Sequence, residues 1–336
     1  MIRSFLAALA AAVLTVTSAG AAEPLAIRVG WVVYTSSSVP ISLELKPLLK
    51  HYGKTYTIEP QNIRSTAATI AALASGDLHV STLSYSTIAF AMQKGGLDDL
   101  RIVSDVLQDG VGGHASGQFM VRNDSPIKRV EDLKGRILAS LAKGSAVDIG
   151  LRAMLRKHGL DDNKDVTIIE AQFPNMRALL MDKRVELIAS ALPFSEDAAL
   201  KENAHALFST KDVMGVTQTL VWVARDGWLK KNRAAFVDFM EDSLTVTRYI
   251  TDPKNHAEVV GIVAKAMKAP PEQLASYLYT PRDMYRDRDG IPNLDALESN
   301  IAIQHQLGFI EQTPDVRKAA DLSYVKEAGA RLGKAK

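Results

Sequence analysis

One pattern of alternating strands and helices occurs twice along the chain, and this duplication constrains the fold more than any other feature. The first copy starts at residue 26 with the strand-like run AIRVGWVVY, and the second starts at residue 134 with KGRILASLA. In each copy a predicted helix ends at a glycine, Gly53 or Gly159, with a histidine in its last turn. Strands that alternate with helices are typical of mostly parallel sheets flanked by helices. We therefore predict an α/β protein with two similar lobes.

Two glycine-containing segments predict where the chain crosses between the lobes. The loop DGVGGHASG precedes the apolar run Phe119–Val121, and Gly215 precedes a second apolar run, Leu220–Ala224. After this run the pattern is helical to the end of the chain. We therefore predict a discontinuous first lobe, residues 25–115 plus 216–336, and an inserted second lobe, residues 116–215. Two crossing strands would form a hinge, and hinged lobes close on ligands.

The first 22 residues have the pattern of a signal peptide. Arg3 precedes an apolar run over residues 5–16, and Ala19, Gly20 and Ala21 fit a small-residue cleavage pattern. We expect cleavage after Ala21 or Ala22, and an uncleaved N-terminal anchor is the alternative. The chain contains no cysteine. We therefore expect neither a lipid anchor at the cleavage site nor the disulfide framework of small secreted proteins.

Composition and motifs argue against several classes of function. The formal net charge is only +2, so we expect no nucleic-acid partner. Without cysteine there is no cysteine catalysis, and the seven histidines lack the HExxH spacing of a zinc site. The P-loop order GxxxxGK[ST] and the GxSxG elbow are also missing. We therefore predict a binding protein rather than an enzyme, with no catalytic residue, metal or cofactor.

Four predicted strand ends carry small or hydroxyl-bearing residues directly before a predicted helix. They are Thr35-Ser36-Ser37-Ser38, Ser84-Tyr85-Ser86, Lys143-Gly144-Ser145 and Pro193-Phe194-Ser195. In open parallel sheets ligands bind at the carboxyl ends of strands, where helix N-termini offer N–H groups to an anion. Each serine alone is explained more simply as a helix cap, but four such ends at matching places predict a ligand site. Lys143 and His114, the latter in the glycine-rich loop, are further candidate donors to an anion.

Aromatic residues beside these strand ends predict contacts with an organic ligand. Tyr85 and Phe194 occupy equivalent places in the two copies, and Tyr34 adjoins the first strand end. A pair of rings would hold an organic body rather than a bare inorganic ion. Trp31 and Phe173, by contrast, are expected to pack in the core.

Four stretches carry a resemblance to a known family: ALASGDLHVSTLSYS, NDSPIKRVEDLKGRILASLAKGSA, LLMDKRVELIASALPF and DGIPNLDALESNIAIQHQLGFI. On these stretches, of which SPIKRVEDLKG is the most specific, the chain resembles the ABC-transporter substrate-binding proteins of the nitrate/sulfonate/taurine type, which are related to binders of thiamine-pyrimidine precursors. The resemblance covers nearly the whole mature chain. It implies a two-lobe periplasmic binding fold of type II, a periplasmic location, and a membrane permease with a cytoplasmic ATPase as partner.

The resemblance and the residues together lead to an expected ligand. Proteins of this family bind sulfonates, nitrate or carboxylates; the hydroxyl and N–H groups favour an anion, and the rings favour an organic one. We therefore predict that a monomeric receptor captures a sulfonate or carboxylate, including aromatic ones, between closing lobes and delivers it to an ABC importer. Two alternatives stay open: a pyrimidine-precursor binding or synthesis protein of the same fold, and a periplasmic sensor subunit. An enzyme of the synthesis type would not need the export signal.

Overall fold

The computed structural model describes residues 23–31, 34–63 and 66–333, so the predicted signal peptide, residues 1–22, lies outside the described residues. The described strands are β1 (Leu25–Trp31), β2 (Tyr56–Asn62), β3 (Val80–Ser84), β4 (Leu100–Asp109), β5 (Gln118–Arg122), β6 (Ile137–Ser140), β7 (Thr167–Glu170), β8 (Leu187–Ser190), β9 (Ala204–Ser209) and β10 (Thr217–Arg225). They form two five-stranded sheets, in the orders β2-β1-β3-β10-β4 and β7-β6-β8-β5-β9.

Helices flank both sheets. The described α-helices are α1 (Ser38–Glu44), α2 (Thr66–Ser75), α3 (Tyr85–Lys94), α4 (Ala146–Lys157), α5 (Phe173–Met181), α6 (Ala198–Asn203), α7 (Thr210–Met214), α8 (Asp226–Lys231), α9 (Arg233–Ile250), α10 (His256–Met267), α11 (Pro271–Ala275), α12 (Leu294–Gln306), α13 (Val316–Ala319) and α14 (Ser323–Leu332). Short 3₁₀ turns lie at Tyr34–Ser36, Lys46–Leu48, Val130–Leu133, Phe194–Glu196 and Pro253–Asn255. Among these described helices, none combines the length and the apolar character needed to cross a bilayer.

The two sheets share one topology, as the duplicated sequence pattern predicts. In the first sheet β1 pairs in parallel with β2 and β3, while β10 runs antiparallel to β3 and β4. In the second sheet β6 pairs in parallel with β7 and β8, while β5 runs antiparallel to β8 and β9. In each sheet four of the five strands therefore run in the same direction, and one strand runs against them. This strand is β10 in the first sheet and β5 in the second.

The chain crosses between the sheets at residues 110–117 and 210–216, and we call these two segments the hinge. One crossing joins β4 to β5, and the other joins β9 through α7 to β10. The two crossings are hydrogen bonded to each other, because the Thr210 N–H donates to the Gly117 carbonyl oxygen at 2.7 Å. Below, the first lobe is the first sheet with the helices packed on it, and the second lobe is the second sheet with its helices.

Local breaks divide some elements that the sequence predicts as continuous. The helix expected to run to Gly53 ends at Glu44, and Pro47, which cannot donate a helical hydrogen bond, follows in a 3₁₀ turn. The helical pattern that follows the run Leu220–Ala224 is divided at Asn232 into α8 and α9. Strands β4 and β9 extend the sheets beyond the predicted elements. Gly159 follows the end of α4 with a φ of +76°, as predicted for a helix-ending glycine.

Apolar clusters hold the helices on the sheets, and one cluster joins the two lobes. The second lobe has its own core, in which Leu138 and Leu187 are fully buried. On another face of α4, Ile149 and Ala153 pack into a cluster of first-lobe residues that includes Ile88 of α3. Helix α4 therefore contacts both lobes, and its N-terminus lies near their boundary.

Candidate functional site

A cavity of about 340 Å³ lies between the two lobes. Its lining comes from the starts of α1, α3 and α4, from the segment after β8, and from the irregular segment 276–293. The residues predicted from strand ends that line it are Thr35, Ser36, Ser37, Ser84, Ser145 and Phe194. The other predicted ligand residues do not line it; they are Tyr34, Tyr85, Ser86, His114, Lys143, Gly144 and Pro193.

Hydroxyl groups at the start of α3 form a polar surface on the first-lobe side. Ser84 caps the helix, since its Oγ accepts a hydrogen bond from the Thr87 N–H at 3.3 Å. The same Oγ lies 3.0 Å from Ser86 Oγ and 2.8 Å from Thr87 Oγ1. The first turn of α3 contains no acidic residue, so the positive end of the helix dipole is available to an anion. Ser84 is therefore both a helix cap and a cavity residue.

The residues before α1 bring more hydroxyl groups to the same cavity. Thr35 and Ser36 lie in a 3₁₀ turn, and Ser37 caps α1 by accepting a hydrogen bond from the Val39 N–H at 3.4 Å. The carbonyl oxygen of Thr35 accepts a hydrogen bond from Arg286 Nη2 at 2.9 Å. This bond ties the loop before α1 to the segment 276–293, so that both reach the cavity together.

The loop before α4 differs, because the protein's own carboxylates already accept from its N–H groups. The Lys143 N–H donates to Glu170 Oε1 at 2.8 Å, and the Gly144 N–H donates to Asp148 Oδ2 at 2.9 Å. The Lys143 side chain is exposed. Gly144 has a φ of +79°, a conformation that favours glycine. Ser145 caps α4 by accepting from the Asp148 N–H, and of these three loop residues it alone lines the cavity.

The aromatic pair in the cavity differs from the pair predicted from the sequence. Phe194 lines the cavity together with Phe173, and their rings stack at a centroid distance of 5.6 Å. Tyr85 is 1% exposed and packs in the apolar cluster between α3 and α4, where its hydroxyl donates to the Ala146 carbonyl oxygen at 2.9 Å. Phe173, expected in the core, is therefore the cavity partner of Phe194, and Tyr85 bridges the lobes from inside the core.

Tyr34 lies beside the cavity rather than in its lining. Its ring meets the Trp31 ring edge-on at a centroid distance of 6.1 Å. Burial and the charge of Glu44 raise the pKa of Tyr34 to about 12. The hydroxyl of Tyr34 is therefore a neutral group at physiological pH.

His114 and Pro193 are also placed outside the lining. His114 contributes to a separate cavity of about 690 Å³, where its Nδ1 lies 3.1 Å from the Asp283 carbonyl oxygen. Its ring contacts Tyr285 edge-on at 5.3 Å between centroids. Pro193 directly precedes the 3₁₀ turn at Phe194–Glu196. The position of His114 in a glycine-rich loop thus did not indicate which cavity the histidine faces.

Two charged residues of the cavity, Asp283 and Arg286, are absent from the set predicted from the sequence. Arg286 Nη1 lies 3.1 Å from Asp283 Oδ2, and the guanidinium lies 4.7 Å from the centroid of the Tyr279 ring. Both residues belong to the irregular segment 276–293, where no strand end or helix start marks them. Because the two charges are opposite and paired, they add little net charge to the cavity.

Apolar side chains form most of the remaining walls. Six of them are Leu83, Leu107, Leu141, Val147, Leu220 and Met284. The cavity thus combines apolar walls with hydroxyl groups and the N-terminus of α3. An inorganic ion would leave the apolar walls uncovered, whereas an organic anion would cover both kinds of surface.

Solved structures share this fold over most of the chain. The periplasmic aliphatic sulphonate binding protein SsuA from Escherichia coli has a TM-score of 0.71, with 21% identity over 88% of this chain and 97% of that chain. The periplasmic nitrate-binding protein NrtA from Synechocystis PCC 6803 has a TM-score of 0.68, with 15% identity over 92% of this chain and 89% of that chain. The desulfurization enzyme DSZB has a TM-score of 0.64, with 13% identity over 92% of this chain and all (100%) of that chain. These likenesses confirm the predicted two-lobe periplasmic binding fold.

In sequence, the match is to a family rather than to an individual protein. No curated protein sequence matches the chain. The model of the NMT1-like family matches residues 20–264. Since this match spans most of the chain, the chain belongs to the NMT1-like family.

Proposed function

We propose that the protein is a periplasmic solute-binding protein that captures a small organic anion between its two lobes. The observation that carries this proposal is the composition of the cavity: hydroxyl groups and a helix N-terminus from the first lobe, stacked rings from the second lobe, and apolar side chains from both. The preferred solutes are sulfonates or carboxylates, including aromatic ones. The protein delivers the solute to an ABC importer, which consists of a membrane permease and a cytoplasmic ATPase.

Ser84 and Thr87 hold the anionic group in this proposal. Their hydroxyls and the first N–H groups of α3 donate to the anion, and the helix dipole favours its negative charge. Phe173 and Phe194 cover the organic body, since stacked rings present a flat apolar surface to it. The pairing of Asp283 with Arg286 supports recognition by neutral donors rather than by a free cation.

Lobe closure is the second part of the proposal. The first lobe comprises residues 25–115 plus 216–336, the second comprises residues 116–215, and the lobes rotate about the hinge. The protein acts as a monomer that docks on the permease and is exported by a signal peptide cleaved near Ala21 or Ala22. The fold neighbours that bind aliphatic sulphonate or nitrate in the periplasm support this role.

Catalysis is the competing function, because a desulfurization enzyme shares the fold. The titratable residues in the described lining of the cavity are Tyr277, Asp283 and Arg286, and the last two are paired. This part of the cavity holds no histidine or lysine to act as a base, and the chain has no cysteine nucleophile. These features favour binding over catalysis. A sensor subunit would use the same cavity and would differ in its membrane partner.

A thermal-shift screen tests the proposal directly. The panel contains alkanesulfonates, benzenesulfonate, benzoate, nitrate, pyrimidines and a neutral sugar. We expect organic sulfonates or carboxylates to raise the melting temperature, because a ligand that binds only the folded state stabilises it by mass action. Stabilisation by sugars or pyrimidines alone would contradict the proposed class of ligand. Release of a chemically changed product from a stabilising ligand would indicate an enzyme instead.

A further inference from the structure

A smaller chamber of about 70 Å³ adjoins the main cavity at the hinge. The two share the wall residues Ala146, Val147, Phe173, Ala191, Thr219 and Met284. Its polar lining includes Asp109 at the end of β4, Ser190 at the end of β8, and Thr217 at the start of β10, together with Tyr85, Gln118, Thr210 and Thr219. We call this space the hinge chamber, since residues that border both crossings line it.

Three oxygen atoms of the hinge chamber have no hydrogen-bond partner among the residues that the structure describes. They are Asp109 Oδ1, Ser190 Oγ and Thr217 Oγ1, and all three are buried. The residues that carry them are only 2–3% exposed. Leaving a buried polar oxygen without a partner destabilises the folded state, and native proteins contain few such atoms. Three of them around one small space indicate that an occupant donates hydrogen bonds there.

The chemistry of the chamber selects the kind of occupant. Asp109 Oδ2 accepts from the Gly117 N–H at 2.8 Å, so the carboxylate is held in place while Oδ1 stays free. Burial raises the pKa of Asp109, and hydrogen bonds from Gly117 and Ser116 and the charge of Lys211 oppose this rise. Among the described residues that line the chamber there is no lysine, arginine or histidine. A carboxyl group that faces a space with no basic residue in its lining favours an N–H donor there, above all a cationic one.

The strand register gives the approximate distance between the hinge chamber and the hydroxyl groups at the start of α3. On β10, Leu220 lies opposite Ser84 of β3, and Thr217 lies opposite Asp109 of β4. Three residues of β10 and, because of a register shift, two residues of β4 (Leu107 to Asp109) separate these places, which corresponds to about 7–10 Å. A ligand that reaches both places therefore needs a spacer, such as a para-substituted ring, between its two polar ends.

We propose that the hinge chamber binds an amino group of the ligand, so that the preferred solutes are amino-substituted organic anions. The anionic group lies at Ser84 and Thr87, the spacer lies against Phe173 and Phe194, and the amino group donates to Asp109, Ser190 and Thr217. This inference rests on the proposed function, because it assumes that the cavity holds an organic anion. It narrows the class of that anion to zwitterionic or amino-bearing sulfonates and carboxylates.

A matched pair of probes tests the hinge chamber. Isothermal titration calorimetry compares 4-(aminomethyl)benzenesulfonate with 4-methylbenzenesulfonate, which lacks only the amino group. We expect the amino compound to bind wild-type protein at least about tenfold more tightly, since hydrogen bonds to charged groups are stronger than neutral ones. In Asp109→Asn this ratio should fall to about twofold or less. Exposed Asp182→Asn, which makes the same charge change on the surface of the second lobe, should keep the wild-type ratio.

The possible failures are distinguishable. If both probes bind wild-type protein equally, water fills the chamber and this inference is wrong, while the proposed function stands. If no organic anion binds at all, the proposed function fails and this inference fails with it. Should Asp109→Asn not fold, the ratio measured on wild-type protein still decides the question.

Discussion

The two lobes share one topology, yet they present different chemistry to the cavity between them. The first lobe contributes hydroxyl groups, with Ser84 and Thr87 at the start of α3. Both lobes add aliphatic side chains, but the stacked ring pair of Phe173 and Phe194 comes from the second lobe, where Ser145 brings a hydroxyl group to the lining. The two copies thus keep the same positions of strand ends, while the residues at those ends differ. Each lobe is therefore suited to one end of an amphipathic ligand.

The helix starts show the physical basis of this difference. In both α3 and α4 a serine caps the helix, Ser84 in one and Ser145 in the other. The third residue of the helix is Thr87 in α3 but the buried Asp148 in α4. The Asp148 carboxylate neutralises the positive end of its helix, whereas the corresponding end of α3 carries no acidic residue. An anion should therefore prefer the first lobe.

Among changes at the two helix starts, replacing Asp148 should have the largest effect on stability. Asp148 pairs with Arg152 at 2.9 Å and accepts a hydrogen bond from Gly144. We expect Asp148→Ala to lower the free energy of unfolding by about 3 kcal/mol, because the buried guanidinium of Arg152 loses one of its carboxylate partners and keeps Asp162. Thr87→Ala, at the matching position of α3, should cost less than about 1 kcal/mol. Urea denaturation measures both values, and equal losses would show that the two helix starts do not differ as described.

Removing one ring of the stacked pair should mainly affect binding. We expect Phe194→Ala to weaken binding of an aromatic anion by about 2 kcal/mol, or roughly 30-fold, with little loss of stability. Phe208 is the matched control, because it stacks on Phe119 inside the second-lobe core. Phe208→Ala should cost about 3–5 kcal/mol of stability and leave affinity unchanged in the folded fraction. If denaturation instead showed a large loss of stability for Phe194→Ala and calorimetry showed an unchanged affinity, Phe194 would belong to the core.

The two serine caps provide a more sensitive comparison. Ser84→Ala and Ser145→Ala should each lower the free energy of unfolding by about 1 kcal/mol, because each removes a helix cap. Only Ser84→Ala should also weaken anion binding, by about tenfold, since it removes a donor at an unneutralised helix start. Calorimetric titrations of both variants test this. If Ser145→Ala lost more affinity than Ser84→Ala, the anionic group would bind at the start of α4 and not at the start of α3.

The smallest effect is expected for Tyr85→Phe. This change removes the hydrogen bond to the Ala146 carbonyl oxygen and leaves the ring in place. We expect a loss of stability of about 1 kcal/mol or less and an unchanged affinity. If affinity instead fell as far as in Phe194→Ala, Tyr85 would belong to the ligand site, as its place in the duplicated sequence predicts.

Much of the fold was predictable from the sequence, because strand-like segments that alternate with helix-like segments indicate two mostly parallel sheets flanked by helices. Strand β4 escaped prediction because Asp105 interrupts its apolar pattern. In the structure Asp105 is buried and accepts hydrogen bonds from Gln218 and from the Asp287 N–H, so distant residues compensate the charge. Burial raises the pKa of Asp105 to about 7, while these hydrogen bonds oppose the rise. Such compensation by residues far apart in sequence is invisible in a local pattern.

The candidate site was predictable only where it follows strand ends. Ser36, Ser84 and Ser145 were found because helix starts at strand ends have a recognisable pattern. Arg286 was missed because it reaches the cavity from an irregular segment through a hydrogen bond to Thr35. The sequence pattern indicated Tyr85, whereas in the structure Phe173 is the ring beside Phe194 in the cavity. Tertiary packing decides which way each ring points from its helix, and a local pattern does not show that direction.

In the proposed binding mode one lobe holds the anionic end of the ligand and the other holds its organic body. Calorimetry of wild-type protein with benzenesulfonate, benzenesulfonamide and inorganic sulfate tests this binding mode. Benzenesulfonamide keeps the ring without the charge, and sulfate keeps the charge without the ring. We predict that benzenesulfonate binds more tightly than either of the other two. Equal or tighter binding of sulfate or of the neutral sulfonamide would contradict it.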